Sequence, residues 1–338
     1  MDKKNEKKSS VLLDNPIVKA VGTQKVVVIL VLIVLFGAFC VLSESFRSYT
    51  TLITIFSYSY YITFMAIGVT FVIISGGIDL SIGASMICCG VIGGYCVVEL
   101  GMPVVAGMVI TVLMGIIFGA LNGFLVAIVK IPPFIATLST MMVCRGIGSI
   151  VSSGMSVTWP IKGSEQGWFR NIFRVQVGEV NLPLGFLWVI LLVLLMTYIL
   201  NKTKLGRYII AVGSNSEATR LSGVSIKKYH MAAYIICGFF TGLAGIAYAA
   251  SFQGLVPGTG PGLELDAIGS VVIGGTSMAG GAGSVVGTLL GVFVMSLLKT
   301  GLPFVGLQAN WQQIITGAIL VGAVAFDVLK NKKLGGPK

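Results

Sequence analysis

Residues 51–78, TLITIFSYSYYITFMAIGVTFVIISGGI, contain no charged side chain and are followed at once by Asp79. About 20 apolar residues in an α-helix cross the hydrocarbon core of a bilayer, so this run is long enough for one span and a turn. Seven further uncharged runs of similar character lie along the 338-residue chain. The pattern predicts an all-α membrane protein, a polytopic bundle of about ten transmembrane helices, some of them short or broken.

The composition supports a membrane protein and excludes an ordinary soluble domain. Hydrophobic residues make up 55% of the chain and charged residues 10%, and the mean hydropathy is +0.96. A soluble domain carries roughly 25% charged residues, which this chain lacks for a surface of its size. A polar tail precedes the first apolar run and no cleavage pattern follows that run, so we expect no signal peptide.

The basic residues orient the predicted spans. With the N-terminus in the cytoplasm, 17 lysines and arginines fall in cytoplasmic segments and 4 in outer segments. This asymmetry is typical of the positive-inside rule, so the net charge of +11 indicates topology and no nucleic-acid partner. The predicted spans are residues 26–43, 51–74, 80–98, 103–129, 134–152, 183–200, 229–250, 264–278, 282–300 and 309–328.

The predicted domain organisation is one transmembrane domain over residues 26–328 between two cytoplasmic tails, 1–25 and 329–338. Within it, residues 152–183 form an outer loop that contains Trp159 and Trp168. Two compatible interpretations apply to this loop. Its tryptophans sit at headgroup level, or it forms a docking surface for an extracytoplasmic partner.

The cytoplasmic segment 201–228 contains a short predicted helix. Ser214 and Glu217 have the spacing of a capping box, in which Ser214 caps the helix and Glu217 reaches back. Gly223 lies where a left-handed residue would end the helix. Ala218 and Leu221 share one face, and we expect Arg220 to point elsewhere. A helix of this size, between two spans, fits a socket on another protein.

Ionisable residues at membrane depth are candidates for function because burying them in lipid is costly. Asp79 and Asp266 each allow two interpretations, capping of a helix or a place at the transport pathway. Arg145 falls inside a span, so we expect it to face the interior and to pair with carbonyl groups or with one of these carboxylates. Lys299 lies near a helix end, where snorkelling to the interface is sufficient.

Glycine patterns predict close helix packing. Gly115, Gly119 and Gly123 form a GxxxGxxxG series, and small residues four apart let helices approach closely in lipid. Residues 66–68 and 267–269, both Ala-Ile-Gly before a Gly-Gly pair, suggest an internal repeat. The glycine-rich stretch 274–283 lacks the Gly-Lys-Ser/Thr of a Walker A loop, so any ATP-driven step belongs to another subunit.

Seven short motifs, taken in order, resemble the permeases of bacterial ABC monosaccharide importers of the ribose type. They are GGIDLSIG (76–83), LNG (121–123), PPFIATL (132–138), TKLGR (203–207), AVGSNSEATRLSG (211–223), LDAI (265–268) and GGTS (274–277). The resemblance covers about residues 25–328. One departure is Thr219, where the family usually has alanine.

The resemblance implies a transport subunit of the bacterial cytoplasmic membrane that is not itself an enzyme. It implies a second permease subunit, identical or paralogous, an ABC ATPase that binds ATP and Mg²⁺, and an extracytoplasmic sugar-binding protein. No cofactor is expected in this chain. The implied ATPase-coupling residues are Gly213, Asn215, Glu217, Ala218, Arg220, Leu221 and Gly223. The candidate pathway or gating residues are Asp79, Ser81, Asn122, Phe134, Thr137, Arg145, Asp266 and Thr276.

Several alternatives for the function remain at this level. Related permeases carry nucleosides or a furanosyl signalling molecule. A self-sufficient secondary transporter is a different class, in which Asp79, Asp266 and Arg145 would form an ion-coupled site. An intramembrane enzyme is a third class, but no Ser-His-Asp or HExxH arrangement is visible.

Overall fold

The computed structural model describes residues 22–252, 254–258 and 262–333. Its helices, in chain order, are α1 (Thr23–Leu42), α2 (Tyr49–Ile74), α3 (Ile82–Val98), α4 (Val104–Ala127), α5 (Pro133–Val151), α6 (Gly185–Lys202), α7 (Lys204–Ser214), α8 (Ser216–Leu221), α9 (Ile226–Ser251), α10 (Leu263–Ile273), α11 (Val285–Phe304) and α12 (Ala309–Lys333), with short 3₁₀ turns at Ser45–Arg47 and Gly167–Ile172. Each of the ten predicted spans coincides with one helix, which confirms the all-α class. The predicted tails fall largely outside the described residues.

The helices differ in their ability to cross a bilayer. Seven of those in the described part of the chain are long and apolar enough to span, namely α1, α2, α4, α5, α6, α9 and α11. Helix α3 has 17 residues and α10 only 11. At 1.5 Å per residue α10 rises about 16 Å, roughly half of the hydrocarbon core. The prediction that some helices are short or broken is confirmed at α10.

Helix α2 lies at the centre of the bundle. Its apolar window is 89% buried within the protein, whereas those of α4 and α6 are 33% and 28% buried. Tyr61, Ile67 and Phe71 of α2 are enclosed almost completely. A helix that is apolar on every side is expected to be buried on every side. The uncharged run 51–78 is therefore a core helix, with more lipid-exposed helices around it.

Glycines bring α4 and α9 into backbone contact at the middle of the bundle. Gly115 and Gly119 of α4 face Gly238 and Gly242 of α9. A Cβ atom on Gly119 would lie 2.8 Å from the Cα atom of Gly238, closer than any side chain tolerates. The predicted role of these glycines in close packing is confirmed.

Helices α2 and α10 end with the same backbone hydrogen bonds. In each, a left-handed glycine closes a Schellman turn, Gly76 after α2 (φ 85°) and Gly275 after α10 (φ 98°). Helices α5, α8 and α11 end with the same hydrogen bonds, so this turn does not by itself support the suggested repeat. Aligning Gly76 with Gly275 also leaves the Ala-Ile-Gly motifs at 66–68 and 267–269 two residues out of step.

The outer loop 152–183 is folded onto the bundle. It contains an antiparallel hairpin, β1 (Val175–Val177) and β2 (Val180–Leu182). Trp159 is buried, and its indole N–H donates to the carbonyl of Gly90 at 2.9 Å. Trp168 is 47% exposed. Glycines of α3 and α4, Gly93, Gly94 and Gly107, leave room for the enclosed Trp159 ring. A headgroup-level position of the two tryptophans stays a prediction.

Candidate translocation and coupling sites

The break between α2 and α3 places Asp79 in a buried polar network. Its Oδ1 atom accepts from the amide of Ser81 at 2.9 Å and from the Ser81 hydroxyl at 2.6 Å. The Asn122 side-chain amide, on α4, donates to Ser81 Oγ at 2.9 Å and lies 3.3 Å from Asp79 Oδ2. The Thr140 hydroxyl on α5 donates to Asn122 Oδ1 at 2.6 Å. The network joins the start of α3 to α4 and α5.

Asp79 shapes the turn that leads into α3 and does not cap that helix as predicted. Its carboxylate accepts from the amide of Ser81, two residues on, and Ser81 is the N-cap residue of α3, whose first turn receives no side-chain cap. Asp79 is 2% exposed and Asn122 is 1% exposed, so the network is enclosed by protein. A role of these residues in the pathway stays a prediction.

Arg145 does not form the predicted ion pair. Neither Asp79 nor Asp266 pairs with it in the described part of the chain, since Asp79 is served by Ser81 and Asn122. Arg145 lies half-buried on α5 near Cys88, and its Nε atom is buried without a hydrogen-bond partner. The three ionisable residues proposed as one ion-coupled site therefore do not come together.

Lys299 pairs with Asp266, a partner that was not predicted for it from the sequence. The ammonium group of Lys299, on α11, forms a salt bridge with Asp266 Oδ2 in the first turn of α10. Their side chains are 20% and 9% exposed. The sequence placed Lys299 near a helix end, but the partner across the helix interface keeps its charge inside the bundle.

A cavity of about 470 Å³ lies beside this ion pair, between α10, α11 and α12. Its polar lining is Glu264, Asp266, Lys299, Gln312, Gln313 and Thr316. Only Asp266 among these was a predicted site residue. The adjacent residues Gln312 and Gln313 interrupt the largely apolar run that begins at Thr300. This pair was the signal that could have revealed the other polar residues of the lining.

The remaining candidate pathway residues lie apart from this cavity. Phe134 is 56% exposed on the surface of α5. Thr137 is buried, and its hydroxyl donates to the Pro133 carbonyl of its own helix at 2.9 Å. Thr276 is 1% exposed after the break of α10, with its hydroxyl oxygen buried and unpartnered.

The short helix of segment 201–228 is α8, and Asn215 rather than Ser214 caps it. Asn215 has extended backbone angles, and its Oδ1 atom accepts from the amide of Ala218 at 2.9 Å. Ser214 is the last residue of α7, so it is unable to start the next helix. The predicted capping box is therefore wrong, although the helix and its position are confirmed.

Glu217 and Arg220 pair with each other on the exposed surface of α8. The Arg220 Nε donates to Glu217 Oε2 at 3.1 Å, so Glu217 does not reach back to the start of the helix as predicted. The guanidinium lowers the pKa of the Glu217 carboxyl below its ordinary value. Leu221 is 75% exposed, and Gly223 adopts the predicted left-handed conformation (φ 78°). Helix α8 presents an apolar residue and a charge pair to solvent.

The inner side of α8 is attached to α7 and, through α7, to the bundle. Thr219, which departs from the family pattern, donates its hydroxyl to the carbonyls of Ala211 (2.9 Å) and Asn215 (2.7 Å). At the end of α7, Gly213 packs against the Ile74 carbonyl and against Gly281. The Gly281 amide also donates to the Ile74 carbonyl at 2.8 Å. The segment thus touches the end of α2 and the loop that follows α10.

Residues 51–324 match the family of permease components of branched-chain amino acid transport systems. The chain belongs to this family. The match begins inside α2 and ends inside α12, so it includes the Asp79 network, segment 201–228 and the cavity beside α10.

Three relatives in this permease family show the range of named substrates. The ribose import permease protein of Escherichia coli (strain K12) is 35% identical over 311 residues, covering 90% of this chain and 93% of the relative. The xylose transport system permease protein of the same strain is 33% identical over 323 residues, covering 80% and 82%. The autoinducer 2 import system permease protein of Photorhabdus luminescens is 32% identical over 316 residues, covering 90% of each. No solved structure matches the chain.

As a member of the permease family, the chain is a multi-pass membrane protein and a transport component rather than an enzyme. The fold brings its candidate residues to two places. The Asp79 network and segment 201–228 lie near the ends of helices that the positive-inside pattern assigns to the cytoplasm. The cavity that Asp266 lines lies at the start of the half-length helix α10.

Proposed function

We propose that the chain is the membrane-spanning permease subunit of an ATP-driven importer for a neutral monosaccharide. The observation that carries the proposal is the exposed helix α8, whose supporting helix α7 packs against both helix breaks through Gly213. Such a helix is the right size to fit a groove on a separate ATPase. Movement of α8 would then reach the Asp79 network and the region after α10 together.

The substrate class rests on the relatives and on the charge of the interior. The ribose and xylose permeases are similar over most of their length. A sugar needs hydrogen bonds and no counter-charge. The only cation in the described lining of the cavity beside α10, Lys299, is paired with Asp266, so the cavity offers no free counter-charge to an anionic solute, which suits a neutral one. The similarity to the autoinducer 2 permease supports a second candidate, a small furanosyl signalling molecule.

The implied partners are a second permease subunit, an ABC ATPase that binds ATP and Mg²⁺, and an extracytoplasmic binding protein. The outer loop supports docking of the last, because a cavity of about 350 Å³ there is lined by Lys162, Arg170 and Arg174. Acidic side chains on a partner would complement these cations. In this assembly both termini and α8 face the cytoplasm.

The proposal is tested with the complete transporter in proteoliposomes. We expect uptake of labelled ribose or xylose that requires ATP with the ATPase and the loaded binding protein, and that ionophores do not change. Uptake that continues without the ATPase, or that collapses with an ionophore, would support an ion-coupled transporter instead.

A further inference from the structure

The cavity beside α10 concentrates hydrogen-bonding side chains between three of the predicted spans. Six polar residues line it, including Glu264, Gln313 and Thr316. Polar groups within membrane-spanning helices are costly unless they find partners, and clusters of them mark solute pathways. The cavity volume of about 470 Å³ is within the usual range for small-molecule sites.

The start of α10 lies inside the bundle rather than at its surface. A Cβ atom on Gly83, in the first turn of α3, would lie 2.6 Å from Glu264 Oε2. Asp266, half a turn further along α10, meets Lys299 within the last turns of α11. The N-terminal end of a helix carries a partial positive charge, and half-length helices that end inside a membrane protein direct that end toward solutes.

The protein satisfies only part of this polar lining. Asp266 pairs with Lys299, and the Gln312 amide donates to the Lys299 carbonyl at 3.2 Å. Glu264 Oε1 accepts from the Gly262 amide at 3.2 Å. Its Oε2 atom is buried against Gly83 of α3, with no hydrogen-bond partner among the described residues, and is therefore closed off from the cavity. Gln313 and Thr316 are the lining side chains whose polar groups remain for a solute.

Aromatic residues adjoin the polar lining. The Lys299 ammonium lies 5.9 Å from the centroid of the Tyr58 ring. Tyr58 packs on Phe252, with ring centroids 5.4 Å apart, and Phe252 packs on Tyr248 at 4.7 Å. No aromatic residue is among the described residues that line the cavity, so hydrogen bonds rather than ring stacking are the contacts that it offers to a sugar.

Resting on the proposed function, we propose that this cavity is a sugar-binding station in the transport pathway. The Gln313 amide and the Thr316 hydroxyl donate to and accept from the sugar hydroxyls. Gln313 and Thr316 are three residues apart on α12 and therefore share one face. The station retains the sugar after its release from the binding protein, until the cavity opens to the cytoplasm.

The test uses the complete transporter in proteoliposomes with the double variant Gln313→Leu and Thr316→Val, which removes hydrogen bonding at nearly constant volume. The readout is the ratio of ribose or xylose delivered to ATP hydrolysed, with saturating loaded binding protein. We expect this ratio to fall about tenfold, because each lost hydrogen bond weakens retention several-fold. The variant Ser139→Ala is the control, since Ser139 is exposed on α5 and donates to Ile135 of its own helix.

Three outcomes are informative. A ratio that falls in the double variant and not in Ser139→Ala supports the station. An unchanged ratio, or equal losses of transport and ATP hydrolysis with a lower melting temperature, overturns it and assigns these residues a structural role. Absence of sugar uptake by the wild-type complex instead overturns the proposed function itself.

Discussion

At the scale of single residues, the most informative side chains are polar groups whose partners come from distant parts of the chain. Asn122 joins Asp79 to Thr140, and Lys299 joins Asp266. In the sequence, each of these links is visible only as a single polar residue beside or within an apolar run. Each has a large energetic consequence in the fold, because a buried polar group that loses its partner keeps its full desolvation cost.

We predict that Asn122→Leu destabilises the protein by about 1–3 kcal/mol, since it leaves Asp79 and the Thr140 hydroxyl short of a buried partner. The melting temperature of the purified protein in nanodiscs measures this. Thr137→Val is the matched control, because the Thr137 hydroxyl bonds only to the Pro133 carbonyl of its own helix in the described residues. Equal melting temperatures for Asn122→Leu and Thr137→Val would contradict the importance of the network.

The salt bridge between Lys299 and Asp266 predicts that substitutions of the two residues have non-additive effects on stability. Lys299→Met leaves the carboxylate of Asp266 buried and unpaired, and we expect the free energy of unfolding to fall by about 3 kcal/mol. Adding Asp266→Asn removes that charge, so the double variant should melt at a higher temperature than Lys299→Met alone. If the stability changes of Lys299→Met and Asp266→Asn, each measured alone, add up to that of the double variant, the two residues do not interact.

At the scale of elements, segment 201–228 connects a solvent-exposed helix to the two breaks in the bundle. Helix α8 is held by the Asn215 cap and by the Thr219 hydroxyl. Gly213 is the point where α7 meets the Ile74 carbonyl and Gly281. Because two backbones meet at this glycine, a side chain has no room there.

Gly213→Ala is therefore predicted to separate α7 from the breaks. The added methyl group would collide with the Ile74 carbonyl, and we expect this overpacking to lower the free energy of unfolding by about 1–3 kcal/mol. We expect weaker stimulation of ATP hydrolysis by loaded binding protein in the reconstituted complex. Gly146→Ala serves as the control, since no atom lies within 4 Å of the added Cβ on α5. The same stimulation in both variants would exclude a mechanical role for Gly213.

The elements also show where sequence patterns stop being sufficient. Ser214 and Glu217 have the spacing of a capping box, but α7 continues through Ser214 and leaves the cap to Asn215. The spacing contains no information on where the preceding helix ends. For a similar reason, the sequence indicated only that Lys299 lies near a helix end. Its pairing with Asp266 depends on how α10 packs against α11.

At the scale of the whole molecule, the sequence predicted the bundle well because lipid imposes a simple rule. Uncharged runs become helices, and the residues between them become turns, so all ten predicted spans coincide with helices. The depth at which each helix begins is not encoded so simply. Glu264, Gln312 and Gln313 were missed because the half-length helix α10 and the cavity beside it arise only when three helices pack together.

The central claim is that an external ATPase drives this permease through α8, and one substitution tests it most directly. Leu221 is 75% exposed, so Leu221→Asp should leave membrane insertion and melting temperature unchanged. In the complete transporter we predict that Leu221→Asp reduces ATP hydrolysis stimulated by sugar-loaded binding protein to the unstimulated level. Leu221→Met, which keeps the apolar contact, should retain stimulation. Full stimulation in Leu221→Asp would contradict the assignment of α8 as the attachment point of the ATPase.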